Sequence, residues 1–138
     1  MTTRFYSFPE GTDINTVDWS IISWNQKLSE EFITQYATKV IWLHISYRQK
    51  LSQEFITKYA TKVDWAGISR YQKLSEDFIA QHATKVGWYH ISRYQKLSEE
   101  FIIQYAAMVD WKAISRYQKL SKKFRVNHRL DILDTRGS

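Results

Sequence analysis

The sequence predicts an all-α fold, an α-solenoid of about five 23-residue helix-turn-helix repeats with capping ends. Three observations predict it. Tryptophan returns at Trp19, Trp42, Trp65, Trp88 and Trp111, 23 residues apart each time, and its neighbours return with it. Each copy carries two helix-start signals. Apolar residues then follow at helical spacing in segments too short to stand alone, since an isolated helix below about 12–15 residues is marginal in water. Such helices must lie against their neighbours.

Taken from the N-terminus, residues 1–18 read as a cap, in which Phe5, Tyr6 and Phe8 supply apolar cover and Pro9 and Gly11 mark a turn. A single repeat domain, 19–133, follows, with copies at 19–41, 42–64, 65–87, 88–110 and a degenerate fifth at 111–133. In that last copy Arg125 stands where Ile33, Ile56, Ile79 and Ile102 stand, and Ile132 keeps the register of Val86 and Val109. The tail, 134–138, ends in Arg136-Gly137-Ser138, which has the composition of a vector-derived end and carries no weight.

The first helix of each copy starts at its tryptophan. Asp18, Asp64 and Asp110 precede it and offer a carboxylate to an orphan backbone N–H. Gly87 is an acceptable substitute, whereas Ile41 is not, so the second repeat is expected to start less sharply. Tryptophan and the isoleucine three residues on share a face, as Trp65 and Ile68 do. The second helix starts at a serine cap, Ser29, Ser52, Ser75, Ser98 or Ser121, and in the four complete copies acidic residues follow where they complement the helix dipole. Phe32, Ile33, Tyr36, Ala37 and Val40 then form an amphipathic stripe. The connection falls near Lys73-Leu74 in the third copy, and Trp, Ile, Leu, Phe and Val at the repeating places are expected to build the core.

Bulk properties bound the rest. One domain's length, 138 residues with 16% aromatics and one proline, argues against disorder. The absence of cysteine removes disulfides and thiolate metal sites and fits a reducing, intracellular setting. No apolar stretch approaches the ~20 residues of a membrane span, so no membrane partner is expected. Half of the net charge of +6 lies beyond Leu120, where Lys122, Lys123, Arg125, Arg129 and Arg136 face two aspartates, a net +3.

The run Trp-x-x-Ile-Ser-x-x-Gln-Lys-Leu-Ser-Glu-x-Phe-Ile, as in Trp88 to Ile102, resembles short tandem repeats of giant DNA virus proteins, and the resemblance covers 18–124. It implies a repeat scaffold and no particular reaction. The likeness to tetratricopeptide-like solenoids is architectural only, because their unit is 34 residues long.

Chemistry on such a frame is repetitive. Arg70-Tyr71-Gln72-Lys73, Arg93-Tyr94-Gln95-Lys96 and Arg116-Tyr117-Gln118-Lys119 align into a ladder of cations and aromatics, with Trp24-Asn25-Gln26-Lys27 and Tyr47-Arg48-Gln49-Lys50 in the first two copies. The binding candidates on the ladder are Arg70, Tyr71, Lys73, Arg93, Tyr94, Lys96, Arg116, Tyr117 and Lys119. Helical repeats that hold single-stranded RNA use such ladders. The plainer reading has the tyrosines half-buried and the cations facing glutamates of neighbouring copies, worth 0–1 kcal/mol per exposed pair. Tyrosines and arginines projecting together favour nucleic acid; buried tyrosines with cations on glutamates favour the scaffold alone.

A second candidate set is the places where copies differ, Ser20/Leu43/Ala66/Tyr89/Lys112 and Ile21/His44/Gly67/His90/Ala113, of which Leu43, His44, Tyr89, His90 and Lys112 carry the chemistry. The unvarying glutamines and serines (Gln49, Gln95 and Ser69, for example) fit inward roles, satisfying backbone groups where the helices turn. His44, His82, His90 and His128 are spread out, with His82 and His128 standing where other copies have tyrosine, so neither a metal nor another cofactor is expected. No nucleophile elbow or phosphate-cradling glycine loop is present. The expectation is a non-catalytic repeat scaffold for a protein or peptide partner. The alternatives are RNA or single-stranded nucleic acid along the ladder, and a structural protein that self-associates.

Overall fold

The computed structural model describes residues 4–130, and within them the fold is all-α. After a 3-10 turn at Ile14–Thr16, ten helices alternate between seven and six residues. They are α1 Trp19–Asn25, α2 Glu30–Gln35, α3 Trp42–Arg48, α4 Gln53–Lys58, α5 Trp65–Tyr71, α6 Glu76–Gln81, α7 Trp88–Tyr94, α8 Glu99–Gln104, α9 Trp111–Tyr117 and α10 Lys122–Asn127. Two helices per tryptophan period, with α1 on α3 and α7 on α9, make a helical repeat solenoid. The chain divides into two compact halves at Ile68/Ser69, within α5. The register expected at Ile132 and the tail 134–138 lie outside the described residues.

The second helices stop earlier than the apolar stripe suggests. Ser29 accepts the Phe32 N–H at 3.0 Å to open α2, and the equivalent bond opens α4, α6, α8 and α10. At Tyr36 the backbone leaves the helix (φ −112°, ψ 31°), and Val40 is brought in by a turn whose N–H donates to the Tyr36 carbonyl at 3.0 Å. Val40 is buried nonetheless, so the stripe read from sequence marks burial beyond the helix proper.

Ile41 lacks a capping side chain, yet α3 begins at Trp42 in the register of the other first helices. Its start is fixed from outside the helix. Ser23 Oγ accepts the Ile41 N–H at 3.0 Å, and the Trp42 indole N–H donates to the Ala37 carbonyl at 2.9 Å. The same two bonds recur beside the capped helices α5 and α9, and they hold the start of α3 without the side-chain cap, itself worth about 1 kcal/mol.

Ile22, Leu28, Ile33 and Val40 of the first copy, and Ile91, Leu97, Phe101, Ile102 and Val109 of the fourth, are core. The indoles are half-buried rather than central. Trp42, Trp65, Trp88 and Trp111 each donate an indole N–H to the alanine carbonyl five residues earlier, at 2.9–3.0 Å. A buried indole N–H wants a partner, and the turn closing the preceding second helix offers one. The rings of Trp42, Trp88 and Trp111 also lie against the Phe and Tyr or His of their own copies, as Trp88 does with Phe101 and Tyr105 at 6.3 and 5.3 Å.

Polar side chains join consecutive copies. Gln95 is 5% exposed; its amide NH2 donates to the Ser69 and Gln72 carbonyls at 2.8 and 2.7 Å, and its Oε1 accepts the Leu74 N–H at 3.0 Å. Gln118 repeats the pattern on Ser92, Gln95 and Leu97, and Gln49 does so on Ser23, Gln26 and Leu28. Gln26 has no preceding copy to serve and is exposed. Ser69 and Ser92 accept the Gly87 and Asp110 N–H groups at 2.9 Å. The first-turn glutamates act across copies too: Glu76 accepts from both the N–H and hydroxyl of Ser98 at 2.6 and 3.1 Å, as Glu30 does from Ser52 and Glu99 from Ser121.

The two ends are finished differently. Phe8 lies 5.3–5.6 Å from the rings of Trp19, Phe32 and Tyr36, Tyr6 joins it, and the Tyr6 N–H donates to the Lys27 carbonyl at 2.7 Å. Gly11 at φ +83° turns the chain there, a conformation other residues reach only with strain. In the fifth copy the Ser115 carbonyl accepts from Arg125 at 2.9 Å, where Ser23, Ser69 and Ser92 present this carbonyl to Gln49, Gln95 and Gln118 of the next copy. The arginine that departs from the isoleucine pattern thus closes the ladder of bonds.

Gly67 is tied to its neighbour. A Cβ there would lie 2.6 Å from the Tyr47 ring. Tyr47 occupies the place held by arginine in later copies. Gly67→Ala is therefore expected to lower stability by about 1–3 kcal/mol through overpacking, despite alanine's better helix propensity. Combining it with Tyr47→Arg should recover most of the loss, as read by urea denaturation; an unchanged midpoint for Gly67→Ala alone contradicts the contact.

Candidate functional site

The ladder residues come from the last turn of the first helices and the short connection after them. In the C-terminal half, the Arg70 guanidinium lies 4.8 Å from the ring centroids of both Tyr71 and Tyr94, and Arg93 lies 4.9 and 4.6 Å from Tyr94 and Tyr117. The resulting order is Tyr71, Arg70, Tyr94, Arg93, Tyr117. Each arginine meets the tyrosine beside it in sequence and the one 24 residues on. The tyrosines are 51%, 37% and 47% exposed.

In the N-terminal half the order of cation and aromatic is exchanged, and the rung survives. Arg48 sits 4.9 Å over Trp24 of the preceding copy and donates Nε–H to the Trp24 carbonyl at 3.3 Å. Lys27 lies over Phe5 at 4.9 Å. A guanidinium or ammonium held over an aromatic face gains about 0.5–1 kcal/mol at exposed sites.

Among the described residues the cations of the ladder meet no carboxylate. Lys73, Lys96, Lys119 and Arg116 are exposed, and among the described residues none is ion-paired with a carboxylate. Of the first-turn carboxylates, Glu76 and Glu99 are engaged by the serine caps of the next copy. Arg93 donates to the Tyr89 hydroxyl at 2.9 Å, and that bond, followed by the nearby tyrosines, raises its basicity further. A hollow of about 310 Å³ opens beside Arg70, Tyr71, Lys73, Tyr94 and Lys96.

The two variable sets part company. Leu43, Tyr89 and Lys112 are exposed and stand beside the ladder on the first helices, Tyr89 one turn before Arg93. In the second set Ile21 is 53% exposed, but His44, Gly67 and His90 meet neighbouring side chains. His44 Nδ1 is 3.2 Å from the Ser20 carbonyl and its ring 5.1 Å from Trp24, Gly67 faces Tyr47, and His90 stacks on Tyr94 at 6.2 Å. At His44 and Gly67 variation follows the fit between copies, whereas His90 meets a tyrosine of its own helix. Spacing in the sequence could not separate the sets, because consecutive residues of a helix differ in direction by a fixed angle whose zero is set only by packing.

His82, in a tyrosine's place, is buried against Phe78 at 4.6 Å, and burial, then Lys85, hold its pKa below the ordinary histidine value. Among the described residues no three His, Asp or Glu side chains gather to hold a metal, and no helix is long and apolar enough to cross a membrane. Sequence reasoning missed a further hollow, of about 260 Å³, in which Asp110, Lys112 and Arg116 meet Tyr89 and Tyr117. Its one signal was the single cation among the first variable set. Comparison of the chain with protein-family models, curated proteins and solved structures finds no match in any of the three.

Proposed function

We propose that the chain is a non-catalytic repeat scaffold that binds single-stranded nucleic acid along the arginine-tyrosine-lysine ladder. The observation that carries this reading is the exposed alternation of Tyr71, Arg70, Tyr94, Arg93 and Tyr117, with no carboxylate opposite its cations among the described residues. A guanidinium stacked between rings keeps its N–H edge free for phosphate oxygens, and the stacking has already restricted a side chain that otherwise loses about 2 kcal/mol of rotamer entropy. The tyrosine edges and hydroxyls flank the same line. A duplex presents phosphates but no unstacked bases, so the single strand is the better ligand.

The test is anisotropy of a labelled single-stranded RNA challenged with unlabelled single strand or duplex of the same sequence. Displacement by the single strand at lower concentration supports the reading; no binding at low salt defeats it. A second reading, a protein partner, rests on Ile21 and Leu43, apolar side chains 53% and 50% exposed on α1 and α3.

A further inference from the structure

We infer that the hollow formed by Tyr89, Asp110, Lys112, Arg116 and Tyr117 is a base-selective subsite that prefers cytidine to uridine, an inference that rests on the single-strand reading above. Opposite charges surround this space without meeting. Among the described residues neither Lys112 nor Arg116 is ion-paired with Asp110. Arg116 ends the ladder: unlike Arg70 and Arg93, it stacks on no ring among the described residues. Among the described residues both cations are therefore open to a phosphate. The variable position beside the ladder carries a cation in this copy alone, at Lys112.

The walls suit a base. Tyr89 and Tyr117 supply two exposed rings, and the bond from Arg93 to the Tyr89 hydroxyl at 2.9 Å orients the first of them. Asp110 caps α9 by accepting the Ala113 N–H on Oδ1 at 3.0 Å. Its second oxygen remains an acceptor. An ionised carboxylate cannot donate, so it matches the N4 amino group of cytosine, the pairing that aspartate and glutamate make with that base. The O4 carbonyl of uracil meets it as acceptor against acceptor.

The test measures anisotropy with labelled oligocytidylate and oligouridylate for the wild type, Asp110→Asn and the double variant Lys112→Ala/Arg116→Ala. Asparagine is as good a cap as aspartate, so α9 is kept. Its single oxygen stays with the Ala113 N–H, and its NH2 now faces the base as a donor. The wild type should bind oligocytidylate roughly tenfold more tightly, and Asp110→Asn should bring the ratio to about one or below. The double variant should weaken both ligands. Equal binding of the two by the wild type, or an unchanged preference in Asp110→Asn, overturns the inference while leaving the ladder in place. Absence of binding to either oligonucleotide at low salt overturns the ladder reading and the inference with it.

Discussion

Gln95→Leu is expected to destabilise the protein by about 3–5 kcal/mol, because leucine fills the space and strands three backbone groups. The Ser69 and Gln72 carbonyls lose their donor, and the Leu74 N–H loses its acceptor. All three bonds are buried, so water does not replace them freely. Gln118→Leu should behave alike for Ser92, Gln95 and Leu97. The protein contains its own control: Gln26 holds the same place in the first copy but is exposed, and Gln26→Leu should stay within about 0.5 kcal/mol of wild type. Urea denaturation of the variants distinguishes these outcomes. Equal effects at positions 26 and 95 would contradict the role assigned to the buried amide.

The second large effect concerns binding. Arg70→Ala/Arg93→Ala removes two charged donors, each worth about 1.5–3 kcal/mol in hydrogen bonds to phosphate, and affinity for a single strand should fall by about a hundredfold or more at low salt. Arg70→Lys/Arg93→Lys separates charge from geometry. Lysine keeps the charge but not the planar fork that stacks on tyrosine, so the salt dependence should persist while affinity still drops. Since both arginines are surface residues of the C-terminal half, folding should be nearly unaffected, which far-ultraviolet circular dichroism checks. An unchanged affinity in the alanine variant would move the binding surface away from the ladder.

Much of the fold was legible because its signals are local. The tryptophan period set the copies, and Ser29, Ser52, Ser75, Ser98 and Ser121 announced the second helices; each does cap one. The inward amide of Gln95 was legible as well, since an unvarying polar residue beside a turn has few other uses. What escaped depends on contacts between copies. The start of α3 without a cap, the use of Glu76 by Ser98 and the closure of Ser115 by Arg125 all require knowing which backbone groups lie opposite. The half-burial of the indoles escaped for the same reason, since it follows from the alanine carbonyl each one reaches.

The ladder was visible as a motif but not as a stack. Sequence alone does not state that Arg70 reaches Tyr94, because a rung depends on the rise and rotation from one copy to the next. Tyr47-Arg48 shows the difference: its order is reversed in sequence, yet Arg48 still covers an aromatic ring, that of Trp24. Residues such as His44 and Gly67, variable and on the first helix, look like recognition positions until the neighbouring copy is seen to occupy them.

Salt titration of single-stranded RNA binding tests the ladder most directly. With six phosphate contacts, from Arg70, Lys73, Arg93, Lys96, Arg116 and Lys119, the logarithm of affinity should fall against the logarithm of salt with a slope of about −4. The Arg70→Ala/Arg93→Ala variant should lose about 1.4 of that slope. A slope near zero, or the same slope in both proteins, would contradict the assignment of these arginines to the phosphates.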